Sequence, residues 1–192
     1  QRIDGKIEQT VAIKFLHPIF YQYQSGALIY REAQALAKLN HPNIASIFDI
    51  AETGTKQAYI VMEFVEGQPL DSYLEQCQLD TKEKLVLYRK IADAVLEAHT
   101  KQIIHADIKP SNVLVTKSGE PKLIDFGVSE LTKNQQGTNE LVKHYLCAMT
   151  VNYAAPEQLK GDTASISSDI YGLGGLLYFI LTGKSAYEDI GG

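Results

Sequence analysis

The apolar positions of this 192-residue chain change their spacing at about Gly67, with strand-like runs before it and helical stripes after it. Thr10 to Leu16 is β-branched and apolar enough to predict a strand. Ile44 to Glu52 and Gln57 to Phe64 read as a hairpin about Thr53-Gly54-Thr55-Lys56. Between them, Leu28, Glu32, Ala35, Leu36 and Leu39 recur at helical spacing, which predicts a helix from about Gly26 to Leu39 with these five on its inward face; His41-Pro42 ends it. Beyond Gly67 a long helix starts at Asp80, where Asp80 and Glu83 fit a capping box. Its stripe is Leu85, Tyr88, Ile91, Ala92, Val95 and Leu96, ending near His99. A second hairpin follows, Asn112 to Thr116 and Pro121 to Ile124 about Ser118-Gly119. Ile166 to Gly183 then reads as a mostly buried helix in which Gly172, Gly174 and Gly175 allow close packing. The class is α+β, with two unequal lobes: residues 1–62 strand-rich, 63–67 a hinge, 68–192 mainly helical.

One residue breaks the apolar pattern informatively. Glu32 lies on the inward stripe of its helix, and a buried acid is costly unless paired; Lys14 on the neighbouring strand is the partner that makes it tolerable. Asp107 and Asn112 lie five apart in a segment broken by Pro110, on a loop before the strand-like Val113-Leu114-Val115. Asp125 follows Lys122-Leu123-Ile124 at the end of another short strand, so two hard oxygen ligands emerge at one side of one small sheet. A rigid lysine, a candidate base and a magnesium pair are what phosphoryl transfer demands, because that reaction offers a protein little covalent work and much charge to position.

Composition narrows the partners. With 45% hydrophobic and 21% charged residues and a formal net charge of −5, the chain suits one large domain or two small lobes. Its dispersed, outnumbered basic residues give no support to a nucleic-acid surface. Cys77 and Cys147 lie far apart with no metal spacing, which fits a reduced, cytoplasmic setting. The longest apolar stretch, Ile170 to Leu181, falls short of the ~20 residues of a membrane span.

Taken together, Val11-Ala12-Ile13-Lys14, Glu32, His105-Ala106-Asp107-Ile108-Lys109-Pro110-Ser111-Asn112, Asp125-Phe126-Gly127 and Ala155-Pro156-Glu157 resemble, in order and spelling, the protein-kinase signature set. The resemblance runs the length of the chain and looks closest to bacterial serine/threonine kinases of the eukaryotic type. It implies a bilobal kinase fold, ATP and Mg2+ as cofactors, and a protein substrate with a serine or threonine acceptor. Lys14 would contact the α- and β-phosphates and pair with Glu32, and Asp107 would act as base. Lys109 would steady the γ-phosphate, while Asn112 and Asp125 would hold magnesium. Ala12, Met62, Glu63, Val65 and Leu114 would line the nucleotide, with Met62 as gatekeeper and Glu63-Phe64-Val65 as hinge. Phe126, Gly127, Thr150, Ala155, Pro156 and Glu157 would belong to the activation segment, and Leu36, Ile47, His105 and Asp169 would be structural: His105 stacked beneath Phe126, Asp169 bonded to the catalytic-loop backbone. Lys109, with Thr150 seven before Glu157, follows the serine/threonine pattern. The Ala-Pro-Glu segment argues against a small-molecule kinase, and intact catalytic residues argue against a pseudokinase scaffold.

Three departures stand beside the resemblance. Ala106 occupies the place where many kinases carry an arginine that reads a phosphate through a bidentate contact, so activation through that contact is not expected. No glycine-rich loop precedes Val11, and the helices that follow Asp169's helix in the family, with an arginine to pair Glu157, do not appear. The expectation is a piece of a longer kinase, truncated at both ends, weakly active or inactive alone, with exposed apolar surface near Leu173 to Ile180.

Overall fold

The computed structural model describes residues 9–16, 36–55, 57–126 and 152–187. The first predicted strand forms as β1 (Val11–Phe15), and the predicted hairpin as β2 (Ile47–Glu52) and β3 (Ala58–Glu63). They make an antiparallel sheet of order β1-β3-β2, with Ala12 opposite Met62 and Lys14 opposite Ile60. Strand alternation puts Ala12 and Lys14 on one face, while Ile13 and Phe15 stand exposed on the other. Ala12 packs on a small core of Leu16, Ile50, Ala58, Ile60 and Met62. The register shifts between Ile47 and Asp49, an irregularity that lets Ile47 join this core and the larger one.

The chain does not turn helical directly at Gly67. A third segment, β4 (Gly67–Pro69), first adds an edge to the second sheet, whose other strands are β5 (Val113–Thr116) and β6 (Pro121–Leu123), in the order β4-β5-β6. Three residues ending in proline carry no periodicity to predict a strand. What permits it is Gly67, where a Cβ would lie 2.6 Å from the Val115 carbonyl oxygen. Gly119, with φ of 79°, makes the predicted turn between β5 and β6. The two sheets are joined by the 43–45 segment: Leu123 N–H donates to the Asn43 carbonyl, Ala45 N–H donates to the Leu123 carbonyl, and the buried Asn43 amide donates to the Pro121 carbonyl at 2.7 Å.

Helix α1 (Leu70–Gln76) leads to α2 (Thr81–Thr100), which begins on the expected capping box: Asp80 accepts from Glu83 N–H, and Glu83 accepts from Asp80 N–H. Its buried face is turned from the expected one. Leu87, Ile91, Ala94, Val95 and Ala98 face the core, whereas Leu85 and Leu96 are exposed. Apolarity alone marked the wider stripe. The two alanines let β6 and the last long helix approach, so small side chains claim the interior side. Each fully buried residue such as Ile91 or Leu176 contributes about 1.5–3 kcal/mol.

After the short α3 (Pro156–Leu159), the last helix is α4 (Ile166–Thr182), capped at its end by Gly183 with φ of 73°. Gly172 packs against Ile108 and Gly175 against Tyr153, as expected of close-packing glycines, but Gly174 faces open space among the described residues. The expectation of exposed apolar surface from Leu173 to Ile180 is corrected in part, since Leu176 and Ile180 are fully buried; the exposed large apolar side chains on this helix are Ile166, Ile170, Tyr178 and Leu181. Of the helix expected over 26–39, Leu36 and Leu39 are buried in the main core, while Leu28, Glu32 and Ala35 lie outside the described residues.

Candidate active site

The edge of β1 and the ends of β5 and β6 bring the predicted chemistry together. Lys14 reaches from its strand to Asp125, Nζ to Oδ2 at 2.7 Å. Glu32, its expected partner, lies outside the described residues, as do Gly127 and Thr150. Asp125 has φ of 65°, a left-handed conformation that costs a non-glycine residue on the order of 1–2 kcal/mol and turns its carboxylate off the end of the strand.

The loop from His105 to Asn112 is built around Asp107. The Asp107 carboxylate is held on one oxygen by Lys109 Nζ at 2.8 Å and by Asn112 Nδ2 at 2.9 Å; Asn112 also donates to the Asp107 carbonyl at 2.7 Å. Pro110–Asn112 is a single 3-10 turn, so the proline break places the lysine before it and the asparagine after it on the same carboxylate. Ala106 is left-handed too, with φ of 64°. Buried Asp169, at the start of α4, accepts from His105 N–H and Ala106 N–H, each at 2.8 Å, as the resemblance implied.

His105 is fully buried and tilts against Phe126, ring centroids 4.5 Å apart. Its Nδ1 accepts from Asp107 N–H at 3.3 Å, which leaves Nε2 as the donor to the Ile124 carbonyl at 3.1 Å. Burial pushes its pKa below the ordinary 6.5, against the pull of Asp169 and Asp107. The folded state therefore keeps His105 neutral where the unfolded chain takes up a proton. Its contribution to stability is complete above about pH 6.5 and falls as pH drops, by about 1.4 kcal/mol per unit until the folded pKa is reached. Urea midpoints from pH 7 to 5 should show this slope in the parent and a shallower one in His105→Gln; equal slopes would contradict it.

Phe126 closes a small group with Leu36, Leu39, Ile44, Ile47 and Met62. Met62 and Val65 are buried and Leu114 is half-buried. The Glu63 side chain works differently from a nucleotide contact: Oε1 pairs with Lys122 at 2.6 Å and Oε2 accepts from Ser46 N–H, which ties β3 to β6. Glu157 accepts from the Ser168 hydroxyl at 2.6 Å, so its carboxylate has a partner within the chain where none was evident.

Three contributors escaped the sequence reading. His99 Nε2 meets Asp169 Oδ2 at 2.8 Å from the last turn of α2; Ser168 donates to the Glu157 carboxylate; Gln158 reaches back to the loop carrying Asp107. The available signal for Gln158 was its place three residues after Ala155 with Pro156 between, the spelling of a helix start.

A small antiparallel sheet and a helical lower part, with Lys14, Asp107, Asn112 and Asp125 at the strand ends between them, are the architecture of a protein-kinase fold. The protein kinase domain family matches residues 2–191, and the chain belongs to that family. It is 39% identical, over 94% of its length, to the probable serine/threonine-protein kinase PknB of Lactococcus lactis, and 40% identical, over 95%, to the serine/threonine-protein kinase PrkC of Bacillus subtilis. It is 34% identical over its whole length to the serine/threonine-protein kinase PknA of Mycobacterium tuberculosis. The chain spans 28% of the length of each of the first two and 45% of the third.

Proposed function

We propose that this protein transfers the terminal phosphoryl group of ATP to serine or threonine hydroxyls of protein substrates, with residues 1–62 as the upper lobe, 63–67 as the hinge and 68–192 within the lower lobe. The observation that carries the reading is the Asp107 carboxylate, fastened by Lys109 and Asn112 beside the Lys14–Asp125 pair. The relatives are named as serine/threonine-protein kinases, which supports the acceptor class.

The donors suit magnesium. Asp125 offers a carboxylate, and Asn112, its amide nitrogen committed to Asp107, offers its amide oxygen, both hard ligands of the kind magnesium takes beside phosphate oxygens and water. When bound, magnesium supplies positive charge against the phosphate oxygens. Asp107 takes the proton of the acceptor hydroxyl as its oxygen bonds to the γ-phosphorus and the bond to ADP breaks. Lys109 and Lys14 place positive charge on either side of that exchange. Glu32 pairs with Lys14, and Ala12, Met62, Glu63, Val65 and Leu114 form the nucleotide wall, Glu63 through its backbone. Phe126, Gly127, Thr150, Ala155, Pro156 and Glu157 present the substrate polypeptide. Ala106 has no side chain to read a phosphate, so turnover does not depend on that contact. A catalytic part that uses ATP works on the cytoplasmic side, and no helix among the described residues is long and apolar enough to cross a membrane.

The test uses the full-length protein with labelled ATP and magnesium, beside Lys14→Met and Asp125→Ala. Label on serine or threonine in the parent, lost in both variants, is expected. ATP bound without label in the parent would replace this reading with a nucleotide-binding scaffold.

A further inference from the structure

One peptide group, the Ala106 carbonyl with the Asp107 N–H, immediately precedes the Asp107 side chain, and both of its polar atoms are taken by side chains. The N–H goes to His105 Nδ1, within the same loop. The carbonyl accepts at 2.8 Å from Nε2 of Gln158, a residue 52 positions away in α3. The same Gln158 amide is engaged at its other end, where Oε1 accepts from Ala155 N–H at 3.0 Å. Ala155 is fully buried and Gln158 half-buried, so these bonds are partly sheltered from water. The residue being held is also the strained one. Ala106, at φ of 64°, is pinned at its N–H by Asp169 and at its carbonyl by Gln158.

We infer that Gln158 is a positioning residue: its side chain locks the peptide before Asp107 to the Ala155-Pro156-Glu157 turn, so that α3 must be docked for Asp107 to be aimed. This rests on the reading of Asp107 as the base. It supplies the coupling between the Ala-Pro-Glu segment and the catalytic loop that a phosphate-reading side chain at position 106 cannot supply here. Coupling through Gln158 needs no modification, only the seating of α3. Asp169 of α4, itself met by His99 of α2, and the Ile124 carbonyl also anchor the loop, but neither bond is made by a residue of α3.

The two ends of the amide can be separated. Gln158→Lys keeps a donor for the Ala106 carbonyl and gives up the acceptor for Ala155 N–H; Gln158→Glu does the reverse. A role confined to starting α3 makes the lysine variant the worse of the two, and a role in aiming Asp107 makes the glutamate variant the worse. In the full-length protein, with ATP and a serine/threonine protein substrate, kcat of Gln158→Glu is expected to fall roughly tenfold below the parent, the KM for ATP staying within about twofold, while Gln158→Lys retains most of the parent's kcat. A glutamate variant as fast as the parent, or a lysine variant slower than the glutamate one, would overturn the inference. A parent without turnover would instead strike at the reading of Asp107. Amide exchange over Ile104–Ile108 then decides the contact by itself: faster exchange in Gln158→Glu than in Gln158→Lys upholds the tie, and equal rates remove it.

Discussion

Asp107→Asn is expected to cut phosphoryl transfer roughly 10²- to 10⁴-fold, the range a positioned general base contributes, while ATP binding stays unchanged. Asparagine has nearly the shape of aspartate, and its amide oxygen still accepts from Lys109 Nζ and Asn112 Nδ2, so the loop has no reason to move. What it cannot do is take a proton. Single-turnover transfer with saturating ATP reads the chemical step, and nucleotide titration reads binding. Retained turnover would remove Asp107 from the role of base. Loss of ATP binding in parallel would mean that its charge holds the site together and is not reserved for the reaction.

Asp169→Ala is expected to lower the free energy of unfolding by about 3–5 kcal/mol. The carboxylate is 1% exposed and accepts from two buried backbone N–H groups while facing His99 Nε2. Alanine leaves all three donors facing a hole between α2, α4 and the loop, in which the buried N–H groups of His105 and Ala106 lose the carboxylate that accepts from them. The strained conformation of Ala106 also loses the bond that holds its N–H. Urea unfolding should show the midpoint falling with the slope unchanged. A loss below about 1 kcal/mol would mean that water takes the place of the carboxylate.

The chemistry-bearing residues were legible because their geometry is mostly local. Asp107, Lys109 and Asn112 share one carboxylate because a proline-broken turn of three residues sits among them, and that turn is written in the sequence. Asp80 with Glu83, and Gly119 in its turn, were legible for the same reason: a cap or a turn needs only neighbours a few residues away. Asp169 was placed correctly only through the family resemblance, since nothing in its own neighbourhood says that a loop lies against it.

The sequence by itself determined the α+β class, the hairpins, the long capped helix and the choice of candidate site residues, because periodicity and turn chemistry act over one element at a time. Only the tertiary structure decided which face of α2 is buried, that Gly67–Pro69 pairs with β5, that Glu63 spends its carboxylate on Lys122, and that Gln158 reaches the peptide before Asp107. Each of these is a contact between elements far apart in the chain. Its partner is chosen by the packing of small residues such as Ala94, Ala98 and Gly67 and by the need of a buried carbonyl or N–H for a bond, and no local pattern names that partner in advance.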